Sequence, residues 1–229
     1  MRILALGDPH GKLPKSLDFV VKKNNIEVIV CMGDIAPAPI IPRKGETFEE
    51  ACKRAEIVFK KIIDKLCSYN LPLITLRGNV YTNTERNNQV TRKIFSPHKN
   101  LYNKKTGKIK IGEEDFILFD MIYEEHSHKF LSKYFIDKIK NNEREKRLNK
   151  LLNELENPIV LSHAPPYGVL DKTKSGKHVG SKILLKAIKK HQPKLVLCGH
   201  IHEAKGKAKI GKTQVINLGC CGDYEIIEI

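Results

Sequence analysis

Short apolar runs that stop on small polar clusters recur along this chain, and that recurrence limits its fold more than any other feature. Arg2–Leu6 ends before Gly7-Asp8-Pro9-His10, Val28–Met32 before Gly33-Asp34, and Leu71–Leu76 before Gly78-Asn79. Ile159–Ser162 stops at His163, and Leu195–Cys198 stops at Gly199-His200-Ile201-His202. Apolar runs of four to six residues bounded in this way read as buried strands. Helical patterns lie between them. Pro14–Lys23 puts Leu17, Val20 and Val21 on one face. Thr47–Ser68 carries Phe48, Ala51, Ala55, Val58, Ile62 and Leu66 at helical spacing, with Thr47 and Glu50 placed to form a capping box. Gly180–His191 reads as a further helix, and the Pro-rich Ala36–Pro42 as loop. Alternating strands and helices predict an α/β chain, mostly parallel early and antiparallel late.

The other segments are less periodic. Lys108–Ile111 and Phe116–Asp120 flank Gly112-Glu113-Glu114, a hairpin signal. The charged stretch Tyr123–Asn157 predicts two helices meeting near Asn141-Asn142. At the C-terminus, Lys205–Ile210, a Gly211-Lys212 turn, Thr213–Leu218 and Tyr224–Ile229 predict a β-meander. Residues 206–213 also satisfy the GxxxxGK[ST] phosphate-loop pattern. Such a loop must open a helix, whereas Thr213–Leu218 reads as strand, so a hairpin is predicted there. One domain, 1–229, is expected, with helical inserts at 36–68 and 123–157 acting as a lid or as cover for a sheet face. The apolar stripe of the first favours cover.

Size and composition set the outer bounds. With 229 residues, 41% hydrophobic and 29% charged, the chain can bury roughly 70–75% of its unfolded surface and is not disordered. Lys and Arg number 41 against 26 Asp and Glu, a net charge of +15. That balance favours anionic partners, nucleic acid among them; lysines scattered along the chain read equally as solvated surface. No apolar run nears the ~20 residues of a membrane helix. The opening MRILALGDPHG reads as a strand and not as a secretory leader. A cytoplasmic location without a membrane partner is expected. Cys31, Cys52, Cys67, Cys198, Cys220 and Cys221 form no CxxC pair and read as reduced, Cys31 and Cys198 serving as small hydrophobes within strands.

The polar clusters carry the chemistry. Each places Asp, His or Asn just past the carboxyl end of a strand-like run, where open α/β sheets build their sites. Carboxylate, imidazole and amide together suit borderline divalent metals such as Mn, Fe, Zn, Co or Ni. Two carboxylates, one amide and four imidazoles exceed the needs of one tetrahedral ion and suit two ions sharing a carboxylate. Gly33, Gly78 and Gly199 precede ligands at sharp turns, where a missing Cβ lets the backbone fold back.

In order, these motifs resemble the DxH, GD, GN, H and GHxH pattern of the calcineurin-like metallophosphoesterases, from Asp8 to His202. The resemblance implies a four-layer αββα sandwich of two mixed sheets flanked by helices. It implies one metal on Asp8, His10, Asp34 and His202, a second on Asp34, Asn79, His163 and His200, and catalytic roles for Asn79 and His200. It further implies a phosphoester hydrolase in which a metal-bridging hydroxide attacks phosphorus, with two divalent transition ions, manganese favoured. The reading adopted is a phosphodiesterase on a small or nucleotide substrate. A nuclease of the same fold, supported by the charge, and a non-catalytic scaffold are the alternatives. The chain departs from the family beside Asn79: Val80 stands where many members carry His, and cannot donate a proton to a leaving group. Tyr81, His126, His128 and His178 are candidate replacements. Lys174 and Lys177, in the basic loop after His163, are candidate substrate contacts.

Overall fold

The computed structural model describes residues 1–80, 85–104, 106–120 and 131–229, without the side chains of 85 and 131–141. Tyr81, His126 and His128 lie outside the described residues. The chain divides into two compact units, Met1–Asn103 with Leu218–Ile229, and Lys104–Asn217.

The first unit is built on a five-stranded sheet: β1 (Arg2–Leu6), β2 (Val28–Cys31), β3 (Leu73–Thr75), β4 (Leu101–Tyr102) and β11 (Tyr224–Glu228), in the order β11-β1-β2-β3-β4. β1 to β4 run parallel and β11 pairs antiparallel with β1. β3 starts two residues later than its apolar run because Pro72 has no N–H for the ladder; its carbonyl still accepts from Ile29. Leu6 pairs with Cys31, and Cys31 with Thr75, so three strands end level at one edge.

Helices α1 (Leu17–Lys23), α2 (Phe48–Cys67) and α3 (Glu85–Phe95) bring apolar residues to one core with Leu4, Leu6, Ile29 and Leu73. The capping box forms as predicted: Thr47 Oγ1 accepts from Glu50 N at 3.2 Å, and Glu50 Oε2 accepts from Thr47 N at 2.7 Å. Ala51, Ala55, Phe59, Ile62, Ile63 and Leu66 make the buried stripe, so α2 covers the sheet. α3 has no sequence forecast; its apolar residues are few (Val90, Ile94, Phe95) among polar ones, and only packing reveals the face.

The second unit holds six strands: β5 (Thr106–Ile111), β6 (Glu114–Phe119), β7 (Ile159–Leu161), β8 (Leu195–Cys198), β9 (Gly206–Ile210) and β10 (Thr213–Asn217). Their order is β5-β6-β7-β8-β10-β9, with a parallel centre and an antiparallel pair at each edge. Leu161 pairs with Leu197, so β7 and β8 also finish together. Residues 206–213 form the β9–β10 hairpin, which removes the phosphate-loop reading. α4 (Leu131–Glu154) and α5 (Lys182–His191) cover Ile117, Phe119, Val160 and Val196 through Leu148, Leu152, Leu184 and Ile188.

Two expectations need correction. α4 runs unbroken through Asn141-Asn142, because Asn costs a helix interior only a fraction of a kcal/mol, about 0.7 at most. The C-terminal strands are no meander: β10 lies parallel beside β8, and β11 joins β1 in the first unit's sheet. Among the described residues no helix is long and apolar enough to cross a membrane.

Phe59, 4% exposed and edge-on to Phe95 with ring centres 5.8 Å apart, anchors α2. Phe59→Ala should lower the unfolding free energy by about 3–5 kcal/mol, read as a shifted urea midpoint at constant slope.

Candidate functional site

In the first unit, the level ends of β1, β2 and β3 release Asp8, Asp34 and Asn79 from the same edge. Asp8 is fully buried, its N–H donating to Gly219 O and its carbonyl accepting from Cys221 N. His10 N donates to Asp34 O at 2.9 Å, which ties the two loops together. Asp8 and His10 offer donor atoms within 4.8 Å of one another. His10 Nε2 lies 3.9 Å from Asp34 Oδ2, too far for a direct hydrogen bond.

Asp34 is the most constrained of these residues. It is 2% exposed, and its Oδ1 accepts from Asn79 N at 2.6 Å and Val80 N at 2.7 Å. Those two amides offset part of the cost of burying a carboxylate and fix its orientation. The contact exists because β2 and β3 approach through glycines. A Cβ on Gly33 would stand 2.6 Å from Gly78 N, and one on Gly78 would stand 2.2 Å from Asp34 Oδ1. Gly33 and Gly78 also have φ of 106° and 71°. Val80 gives its amide to Asp34 and its side chain to the α2 core, so it serves structure on both counts.

In the second unit, His163 follows β7 and is fully buried; its carbonyl accepts from Gly199 N at 3.0 Å. The His163 and His200 rings lie 4.9 Å apart, centre to centre, with donor atoms within 4.8 Å. His202 opens a short 3-10 turn, His202–Ala204. Asn217 Nδ2 donates to Ile201 O and to Leu170 O, pinning this segment to the loop that follows His163. The amides of Glu203 itself and of Lys174 hold the Glu203 carboxyl below its ordinary range.

Three of the predicted ligands sit in the left-handed region: His10 at φ 44°, Asp34 at 47° and His200 at 65°. Asp and His enter this region more readily than most residues, and among the described residues six others share it, Leu170 and Gln192 included. Buried carboxylate beside imidazole in the first unit, and clustered imidazoles in the second, form a donor set that fits divalent transition ions. Two cysteine thiols are held protonated. Burial pushes Cys31 up to about 12, and burial with the Cys221 neighbour pushes Cys220 up to about 12.

Sequence reasoning missed Asp171. It is fully buried, accepts from Gly168 N and Gly180 N, and meets His178 Nδ1 at 2.5 Å. No local motif marks it, since its partners lie three, seven and nine residues away. Lys174 and Lys177 stand exposed at the tip of the same loop.

Comparison with known proteins places these features. The family model described as calcineurin-like phosphoesterase matches residues 1–204. Uncharacterized protein MJ1162 of Methanocaldococcus jannaschii is 29% identical over 231 residues, covering 95% of this chain and 87% of that protein. Human metallophosphoesterase domain-containing protein 1 is 38% identical over 65 residues, 28% of this chain and 20% of its own length. A dimetal phosphatase structure from Danio rerio gives a TM-score of 0.62 at 13% identity, covering 99% of this chain and 91% of that one. TT1561 of Thermus thermophilus gives 0.60 at 17% identity, with 98% and 97% coverage. At such identities the structural likeness shows a shared fold.

Gly78→Ala forces a methyl onto the Asp34 carboxylate, and should weaken Mn²⁺ binding about tenfold or more in a competition titration. Gly45→Ala is the control: φ is 82° there too, but nothing lies within 4 Å of a Cβ, so affinity should hold.

Proposed function

Because this chain belongs to the calcineurin-like phosphoesterase family, whose members are metal-dependent phosphoester hydrolases, we propose that it is a phosphodiesterase with two divalent transition ions. Asp8, His10, Asp34 and His202 hold one ion, and Asp34, Asn79, His163 and His200 the other. This reading takes 1–229 as one catalytic domain, with manganese the preferred metal. The observation that carries this reading is Asp34: a buried carboxylate whose Oδ1 is fixed by the amides of Asn79 and Val80 at the carboxyl ends of β2 and β3. The left-handed backbone of His10, Asp34 and His200 turns each of these residues sharply just past a strand end, which supports it.

Such ions, when bound, supply Lewis-acid polarisation of phosphoryl oxygens and a nucleophilic water near neutral pH. The chain's own residues set the rest. Asn79 and His200 would, besides ligating, offer polar groups to the charge that develops on phosphoryl oxygens. Val80 supplies no proton; with none supplied by Tyr81, His126, His128 or His178 either, departure of the alcohol depends on its own acidity. That favours diesters with aryl or other stable leaving groups over alkyl monoesters. Lys174 and Lys177 extend a positive tip toward an anionic substrate, and the +15 charge of the chain keeps a nuclease as the second reading. A cytoplasmic location agrees with such a substrate.

Hydrolysis of bis(4-nitrophenyl) phosphate should vanish on chelation and return with Mn²⁺. Asp34→Asn, checked for folding by circular dichroism, should lower kcat/KM about a hundredfold or more, ~2.7 kcal/mol at ~1.36 per decade. Rates across a diester series should rise steeply as the leaving alcohol becomes more acidic; equal rates for aryl and alkyl diesters would contradict the missing acid. A Lys174→Ala/Lys177→Ala double variant should raise KM without lowering kcat. Faster turnover of single-stranded nucleic acid than of any small diester would favour the nuclease.

A further inference from the structure

The stretch from Ala164 to Ser181 is a braced arm and not a slack connection. At its base Tyr167 N donates to Ser181 O at 3.0 Å, and Ser181 N donates to Pro165 O at 2.7 Å. Gly180 packs so closely there that a Cβ would stand 2.6 Å from Pro165 O. At its centre the buried Asp171 carboxylate gathers Gly168 N, Gly180 N and His178 Nδ1. At its tip Thr173 N donates to Lys177 O, and Lys174 N donates to Glu203 Oε1 at 2.8 Å. The arm therefore starts directly after His163, is pinned through Asn217 to Ile201, and touches the residue next to His202.

This rigid frame holds outward a group of side chains that the hydrolytic chemistry does not use. Tyr167 is 37% exposed, so its ring is accessible on a backbone that these hydrogen bonds fix. The His178 ring stands 6.0 Å from it, tilted by 55°, and Asp171 sets that ring by its hold on Nδ1. Lys182 Nζ lies 5.4 Å from the centre of the Tyr167 ring. An aromatic ring with an ammonium over one face and an imidazole beside it suits a planar ring joined to an anion, stacked on the other face.

We propose that Tyr167, His178 and Lys182 form a recognition face for the base of a nucleotide phosphoester, the ring stacking on Tyr167 while Lys182 and His178 meet its oxygens. The inference rests on the phosphoesterase reading for the anion, and assigns to three named side chains the choice of a nucleotide over other small phosphoesters. Stacking of one base on one aromatic side chain sets the expected size of the effect, about tenfold in affinity. An exposed cation–π pair without a ligand is the competing account, and it predicts no preference for a base.

The test compares AMP with ribose 5-phosphate, which carries the same phosphate and sugar and lacks the base. Binding is measured by isothermal titration calorimetry on the full chain, with and without Mn²⁺, and hydrolysis of bis(4-nitrophenyl) phosphate is followed separately. The wild type should bind AMP about tenfold more tightly than ribose 5-phosphate. Tyr167→Ala should bring the two affinities together, and Tyr167→Phe should keep them apart, which separates stacking from a collapsed arm. Equal affinities in the wild type, or an AMP preference that survives Tyr167→Ala, would overturn the recognition face. A base preference that responds to Tyr167 in a protein that hydrolyses no phosphoester would instead overturn the enzymatic reading and uphold the face.

Discussion

The rest of the first unit's chemistry depends on how closely β2 and β3 end against each other. Asp34 must sit beside Asn79 N and Val80 N, and side chains at Gly33 or Gly78 would fill the space this needs. Parallel pairing with level strand ends creates the approach, and the covering helices, α2 above all, keep the strands in place. A carboxylate is thereby removed from water and held by amide dipoles on one side, with direction imposed on the other. The free energy for that comes from the apolar core beneath it, Ile29, Leu73 and Phe59 among others.

Both units repeat one plan. A short apolar strand, buried on both faces, ends at a turn, and the next polar side chain is released at the carboxyl edge. Asp8, Asp34 and Asn79 come from β1, β2 and β3, and His163 and His200 from β7 and β8. The parallel ladders set their spacing, because level strand ends bring together residues far apart in sequence. The proposed substrate choice is carried by a different device, an arm braced from within by the Asp171 carboxylate.

Much of this was legible in the sequence, for physical reasons. Apolar strands with polar stops signal themselves by composition alone, and the Thr47–Glu50 cap is a local contact, so both could be read. The carboxylate, amide and imidazole residues that end the strands were legible as a donor set for the same reason. What escaped depends on distant partners. α3 shows its apolar face only against the core, and the two asparagines inside α4 look like a break until the helix has a sheet to cover. β11 carries no mark of its pairing with β1, and Asp171 none of its role, because each is defined by groups that only the fold brings near.

Diffraction from crystals grown with Mn²⁺, recorded at the manganese absorption edge, tests the two-ion centre most directly. Two anomalous peaks per chain, both in contact with the Asp34 carboxylate, are the predicted result. A single ion that Asp34 does not touch, or manganese held by other residues, would contradict it.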